Sequence, residues 1–198
     1  MRKRSMRKRS IAIAAVAACL FLQTARARPK PAADSPKPAG FRGEFLTQME
    51  DVEKKLSDLA EAMPESSYAW RPMEGVRSVS EVYTHIAGAN YMFPTLVGIN
   101  QPEGTDWDLK NVTGKKKVLE ALKLSFDHIR EAVMKTPDGD LDKPVKMFGQ
   151  ETTKRGVFFV AALHMHEHLG QSIAYARMNK IVPPWTAAEQ ARQKSEKK

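Results

Sequence analysis

Large apolar residues recur at alternating steps of three and four in several separate stretches of this chain. At about 3.6 residues per turn, that spacing lays each series along one stripe of an α-helix. Phe45, Met49, Val52, Leu56, Leu59 and Met63 form the first stripe, and Pro64 closes it. Trp70, in the connection that follows, is placed to cap one end of a core. Ser78 followed by Glu81 is a capping box that opens a second helix, along which Val82, His85, Ala89, Met92 and Leu96 step in the same way. Pro94 lacks a backbone donor and should kink or restart that helix. Thr113 is placed to cap a third, with Val118, Leu122, Phe126, Ile129 and Val133 inward and Lys115, Lys116, Lys117, Glu120 and Lys123 outward. His128 falls off that stripe and reads as a surface residue. After the run PDGDLDKP, residues Val145 to Glu151 read as extended, and Thr152 or Thr153 starts the last helix. The expected fold is therefore all-α, an antiparallel four-helix bundle over residues 41–185.

The two ends read differently. Residues 1–27 hold seven basic side chains and no acid, then an apolar run from Ile11 to Leu22, then Ala25-Arg26-Ala27, which is the order of a secretory signal peptide. The apolar run is too short for a mature transmembrane helix. Val16-Ala17-Ala18-Cys19 also resembles a lipoprotein signal, which would anchor the chain through Cys19; the apolar residues after it favour ordinary cleavage. The expected location is periplasmic or secreted. The whole chain carries 32 basic and 23 acidic residues, but without the leader's seven the balance is 25 to 23, so the basic excess gives no support to a nucleic-acid partner. Residues 28–40 hold four prolines and read as a stiff, solvated linker, and residues 186–198 as a polar, basic, frayed helical tail.

The last stripe is Val157, Ala161, His164, His168, Gln171 and Tyr175, so two histidines stand where leucine would be expected. An i, i+4 pair has Cβ atoms about 6 Å apart, from which two imidazoles can meet one cation at about 2.0–2.1 Å. His85 adds a third imidazole on an inward stripe. Buried imidazole must satisfy two ring nitrogens, and leaving one unpaired costs about 1–3 kcal/mol; a shared metal relieves that. Three neutral nitrogens without a carboxylate suit a divalent transition metal such as Zn, Ni, Fe or Cu and disfavour Mg and Ca. The other reading of the same residues is hydrogen-bonded core histidines. His166 points about 160° away from the pair and reads as surface. Glu167 flanks the stripe, either orienting a ligand ring or forming a surface ion pair. Gln171 could bond a metal-bound water or bridge to a neighbouring helix, and Tyr175 reads mainly as packing.

HIAGANYMF at 85–93 and HMHEHLGQSIAYARMNKIVPPW at 164–185, preceded by WRP at 70–72, closely resemble the DinB-like family of four-helix bundles. The resemblance spans about residues 41–185 and implies a divalent metal held by His85, His164 and His168. It also implies frequent homodimers, and activities that include metal-dependent hydrolysis and thiol-dependent transfer. An exported chain would meet few low-molecular-weight thiols, which weighs against the latter.

Three classes of function follow. One is an exported metal-dependent hydrolase acting on a small substrate, with Gln171 or Glu167 assisting. Another is a non-catalytic bundle that binds a metal or small ligand. The third is a helical bundle with partner-binding faces and satisfied core histidines.

Overall fold

The computed structural model describes residues 37–105 and 109–197. The expected leader at 1–27, Cys19 within it, and residues 28–36 of the expected linker lie outside the described residues.

The three-four stripes form the expected helices, α1 (Phe41–Ala62), α2 (Val79–Leu96), α3 (Lys115–Lys135) and α4 (Lys154–Met178). Every stripe residue of α1 from Phe45 to Leu59 is buried, as is Met63 just beyond it, together with Val118, Leu122, Phe126, Ile129 and Val133 of α3. They meet Val82 and Ile86 of α2 and Val157, Phe158, Ala161 and Met165 of α4 in one core. Truncating a large member such as Phe126 to Ala should cost about 3–5 kcal/mol, because the neighbours close only part of the space left behind.

The helices pack in a ring, α1 against α4, α4 against α2, α2 against α3 and α3 against α1. Helices α1 and α2 follow one another in sequence yet are not among these pairs, and neither are α3 and α4. The connection between α1 and α2 is long enough to cross the end of the bundle, and it is well tied down. The Tyr68 hydroxyl donates to Ala60 O at 2.8 Å, Val79 N–H to Trp70 O at 3.0 Å and Ser80 N–H to Tyr68 O at 2.9 Å. This crossing is what brings α2 beside α4 and makes a site shared between them possible.

The ends of the elements follow from local chemistry, with some departures from expectation. The capping box at α2 is present: Glu81 N–H donates to Ser78 Oγ at 3.3 Å, and Ser78 N–H to the Glu81 carboxylate at 2.6 Å. Pro94 does not restart the helix; α2 stops at Leu96, and Val97 and Ile99 donate back to Pro94 O. Thr113 does not cap α3. Gly114 takes that position at φ 82°, a left-handed conformation that glycine tolerates. The carboxylate of Glu65, in a 3-10 turn at Glu65–Ser67, accepts from Lys115 N–H at 3.0 and 3.2 Å. A distant acid at a helix start satisfies an orphan donor and complements the helix dipole, which is why the local threonine is dispensable. Thr153 does cap α4, accepting from Gly156 N–H at 3.1 Å.

Two features enlarge the expected all-α architecture. Residues read as extended form an antiparallel hairpin, β1 (Pro144–Met147) and β2 (Gln150–Thr153), with Val145 opposite Thr152. Phe148 and Gly149 turn it at φ 51° and 82°, the paired positive φ angles of a tight two-residue hairpin. The C-terminal residues form a further helix, α5 (Pro184–Ser195), with Trp185 packed against the core and Arg192 paired to Glu189 and Glu196.

His128 is also corrected: it is buried, not on the surface. Helix α3 packs against two neighbours, so its buried arc is wider than one stripe and includes Ser125, His128 and Ala132. Asn90 of α2 donates to Ser125 Oγ at 3.2 Å, and the Tyr91 ring lies 5.3 Å from that of His128.

Candidate metal centre

Helix α2 brings His85, and two successive turns of α4 bring His164 and His168, to one place. The ring centroids are 4.9 Å apart for His85 and His164, 4.7 Å for His85 and His168, and 4.5 Å for His164 and His168. One ring nitrogen from each lies within 4.8 Å of the others. His168 is buried, while His85 and His164 are half-buried, so the cluster sits at the edge of the core. Phe93 places its ring 5.8 Å from that of His164 and shields one flank.

The tautomer of His168 is fixed from a distance. The main-chain carbonyl of Arg77 can only accept, so the Tyr175 hydroxyl donates to it, at 3.0 Å. Tyr175 Oη then accepts from Gln171 Nε2 at 3.1 Å, which turns the amide so that Gln171 Oε1 accepts from His168 Nδ1 at 2.7 Å. His168 therefore carries its proton on Nδ1 and offers the Nε2 lone pair to the cluster. Trp70 stacks edge-on against Tyr175 at 5.4 Å and holds the relay from outside, beyond the core-capping role expected of it.

Protonation is disfavoured at the other two rings. Burial, then the nearby charges of Arg77 and His168, push His85 down from 6.5 to about 4. Burial, then His168, His85 and Arg77, bring His164 to about 4 as well. Both are neutral near pH 7, the form in which imidazole binds metal.

The donor set fits a transition metal. His85 Nε2 and His164 Nε2 are 3.0 Å apart. Two nitrogens bound at about 2.0–2.1 Å to one ion stand about 2.9 Å apart at a right angle and about 3.3 Å apart at a tetrahedral angle. The other nitrogen of His164, Nδ1, is buried with no hydrogen-bond partner among the described residues. Such a ring weakens a core, so its presence is better explained by what the cluster does than by what it stabilises.

Of the two expected assistants, Gln171 has both ends of its amide engaged in the relay and orients the His168 ring. Glu167 is exposed and makes no hydrogen bond or ion pair among the described residues. His166 is exposed as expected, bonded through Nδ1 to Ala162 O at 2.9 Å. The residue that sequence reasoning missed is Arg77, an exposed cation one position before the α2 cap whose charge acts on His85 and His164. Nothing in its local spacing marks it, because it reaches the cluster through the fold.

Residues 48–172 match the model of the DinB superfamily. No curated protein is similar enough to count as a match. Among solved structures, a DinB-like protein from Bacillus cereus superposes with a TM-score of 0.64 at 18% identity, covering 71% of this chain and 93% of that one. A DinB-like protein from Bacillus subtilis gives 0.55 at 18%, covering 70% and 93%. A protein assigned to the DinB family from Exiguobacterium sibiricum gives 0.56 at 16%, covering 72% and 93%. At these identities the likeness is one of fold.

Proposed function

The chain belongs to the DinB superfamily, and from that premise we propose that it binds one divalent transition metal through His85, His164 and His168 and hydrolyses a small substrate outside the cytoplasm. The observation that carries the metal assignment is the convergence of one ring nitrogen from each of three histidines on two helices, all within 4.8 Å of one another. No carboxylate belongs to that set, which suits zinc, nickel or iron better than magnesium or calcium. When bound, such an ion supplies Lewis acidity and a means of activating water.

The chain's own part is to shape and orient. The relay from Arg77 O through Tyr175 and Gln171 keeps the His168 ring turned with Nε2 toward the cluster. Phe93 and the core behind it limit water on the inner flank, while the partial exposure of His85 and His164 leaves a side open to a small molecule. Export is proposed from the leader alone, and sequencing the N-terminus of the processed chain tests it.

One observation favours a non-catalytic binding site: the amide of Gln171 is engaged at both ends, by His168 and by Tyr175. Elemental analysis of untagged protein tests the metal itself, with stoichiometric metal in wild type and its loss in His85→Ala as the expected result. A panel of small esters and amides then separates the two readings. Metal-dependent turnover supports hydrolysis, and a loaded protein inert to the whole panel supports binding alone.

A further inference from the structure

We propose that His164 is the exchangeable ligand of the triad. Without metal it keeps its proton at the centre of the cluster, and to bind an ion it must carry that proton on a nitrogen that has nothing to donate it to. The proposal rests on the metal reading above.

The first argument concerns the cluster without metal. His85 Nε2 and His164 Nε2 stand 3.0 Å apart, a separation at which one neutral ring donates and the other accepts. His168 has its proton on Nδ1, where Gln171 Oε1 accepts it at 2.7 Å. The proton between the other two rings therefore belongs to His85 or to His164. If His85 gave it, His164 would carry its own proton on Nδ1. Of the three nitrogens that face away from the cluster, only His164 Nδ1 is both shut off from solvent and without a hydrogen-bond partner among the described residues. If His164 gives it, the outward proton falls to His85 Nδ1, on a half-buried ring. A bare ring nitrogen suits a dry setting better than an N–H does, since buried donors without an acceptor are the rarer case in folded proteins. His164 is thus the donor and His85 the acceptor.

The second argument compares the two histidines of α4 as ligands. To offer the Nε2 lone pair, His164 loses the proton there and takes one from solvent on Nδ1, so that the ring stays neutral. His168 needs no such change, because its proton already sits on Nδ1 with Gln171 accepting. A ligand ring ordinarily donates its outer N–H to an acceptor that fixes it and raises its basicity, and losing that acceptor lowers affinity by about 10- to 100-fold. His168 has the acceptor and His164 has none among the described residues. Adjacent turns of α4 therefore supply one anchored ligand and one loosely held. His164 is the ring that gives way when a donor atom of an incoming molecule competes for its position, and its bond to His85 re-forms once the site empties.

The experiment has two arms, both on the full chain. In the first, metal-free protein labelled with 15N at histidine is examined by long-range proton–nitrogen correlation, which reads the tautomer of each ring. His164 should carry its proton on Nε2 and His168 on Nδ1. A proton on Nδ1 of His164 overturns the proposal. In the second, zinc(II) is titrated into wild type, His164→Ala and His168→Ala against a chelator of known affinity, a measurement that reaches variants too weak to keep an ion through dialysis. The loss of affinity in His168→Ala should exceed that in His164→Ala by about tenfold or more. Equal losses, or a larger loss in His164→Ala, overturn the proposal while leaving the metal reading in place. Circular dichroism checks that each variant folds, and His164→Asn and His168→Asn replace any Ala variant that does not. No zinc uptake by wild type is a separate result: it overturns the metal reading, and the proposal falls with it whatever the tautomers are.

Discussion

The main-chain carbonyl of Arg77 sets the tautomer of His168 through two intervening side chains, Tyr175 and Gln171. Because the carbonyl has no proton to give, every bond in the series is forced to run one way, and the ring ends with its lone pair facing His85 and His164. The relay makes Gln171 the side chain on which ligand orientation depends.

Replacing Gln171 with Leu should therefore lower metal affinity by about 10- to 100-fold, the usual effect of losing a partner that orients a ligand ring. Gln171→Glu keeps an acceptor for the His168 proton and should stay closer to wild type. Competition against a chelator of known affinity measures both, and circular dichroism should show unchanged helix content. Equal affinities for Gln171→Leu and wild type would remove the relay from the site.

The histidines should separate cleanly. His85→Ala, His164→Ala and His168→Ala should each fail to retain metal through dialysis, whereas His166→Ala should retain it, since that ring is exposed and bonded to its own helix. Elemental analysis reads the result directly. Metal lost from His166→Ala as readily as from the others would show that the ions measured were surface-bound.

Without metal, stability should depend on pH through His85 and His164. Both are held at about 4 in the folded chain, below their ordinary 6.5. Between those values the unfolded chain takes up protons that the folded chain refuses, so stability is fully present above about pH 6.5 and falls as pH drops toward 4. Thermal melts of the chelated protein across that window should show the decline, and the double variant His85→Gln with His164→Gln should flatten it. A slope unchanged in the double variant would assign the decline to other groups. Asp138 and Asp140 are not among them, because Arg42 and Lys143 with Lys154 lower their pKa values and they titrate below this window.

Glu65 should matter to stability more than Thr113. Removing the carboxylate that caps α3, as in Glu65→Ala, should cost about 1–2 kcal/mol, while Thr113→Ala should fall within about 0.5 kcal/mol of wild type. Denaturant titration of both variants decides the order, and the reverse order would return the cap to the local residue.

The helices were legible because burial imposes a period on the chain, and Val118, Leu122, Phe126, Ile129 and Val133 show it as plainly in the sequence as in the core. The triad was legible for the same reason, since His85, His164 and His168 interrupt apolar stripes. What escaped reading depends on which helices lie side by side. The burial of His128 follows from the second neighbour of α3, which no stripe records, and the α3 cap comes from Glu65, fifty residues before Lys115. Gln171 was placed on the right stripe, but its role turns on the direction in which Tyr175 donates. Arg77 was invisible because its carbonyl meets the Tyr175 hydroxyl, 98 positions away, only through the fold.

His85 and His164 are 79 positions apart along the chain and 3.0 Å apart in space. A nascent or truncated polypeptide ending before α4 holds no more than a single member of the trio, so the cluster comes into being only when the bundle closes. Any ion taken up there would report that the whole domain has been assembled.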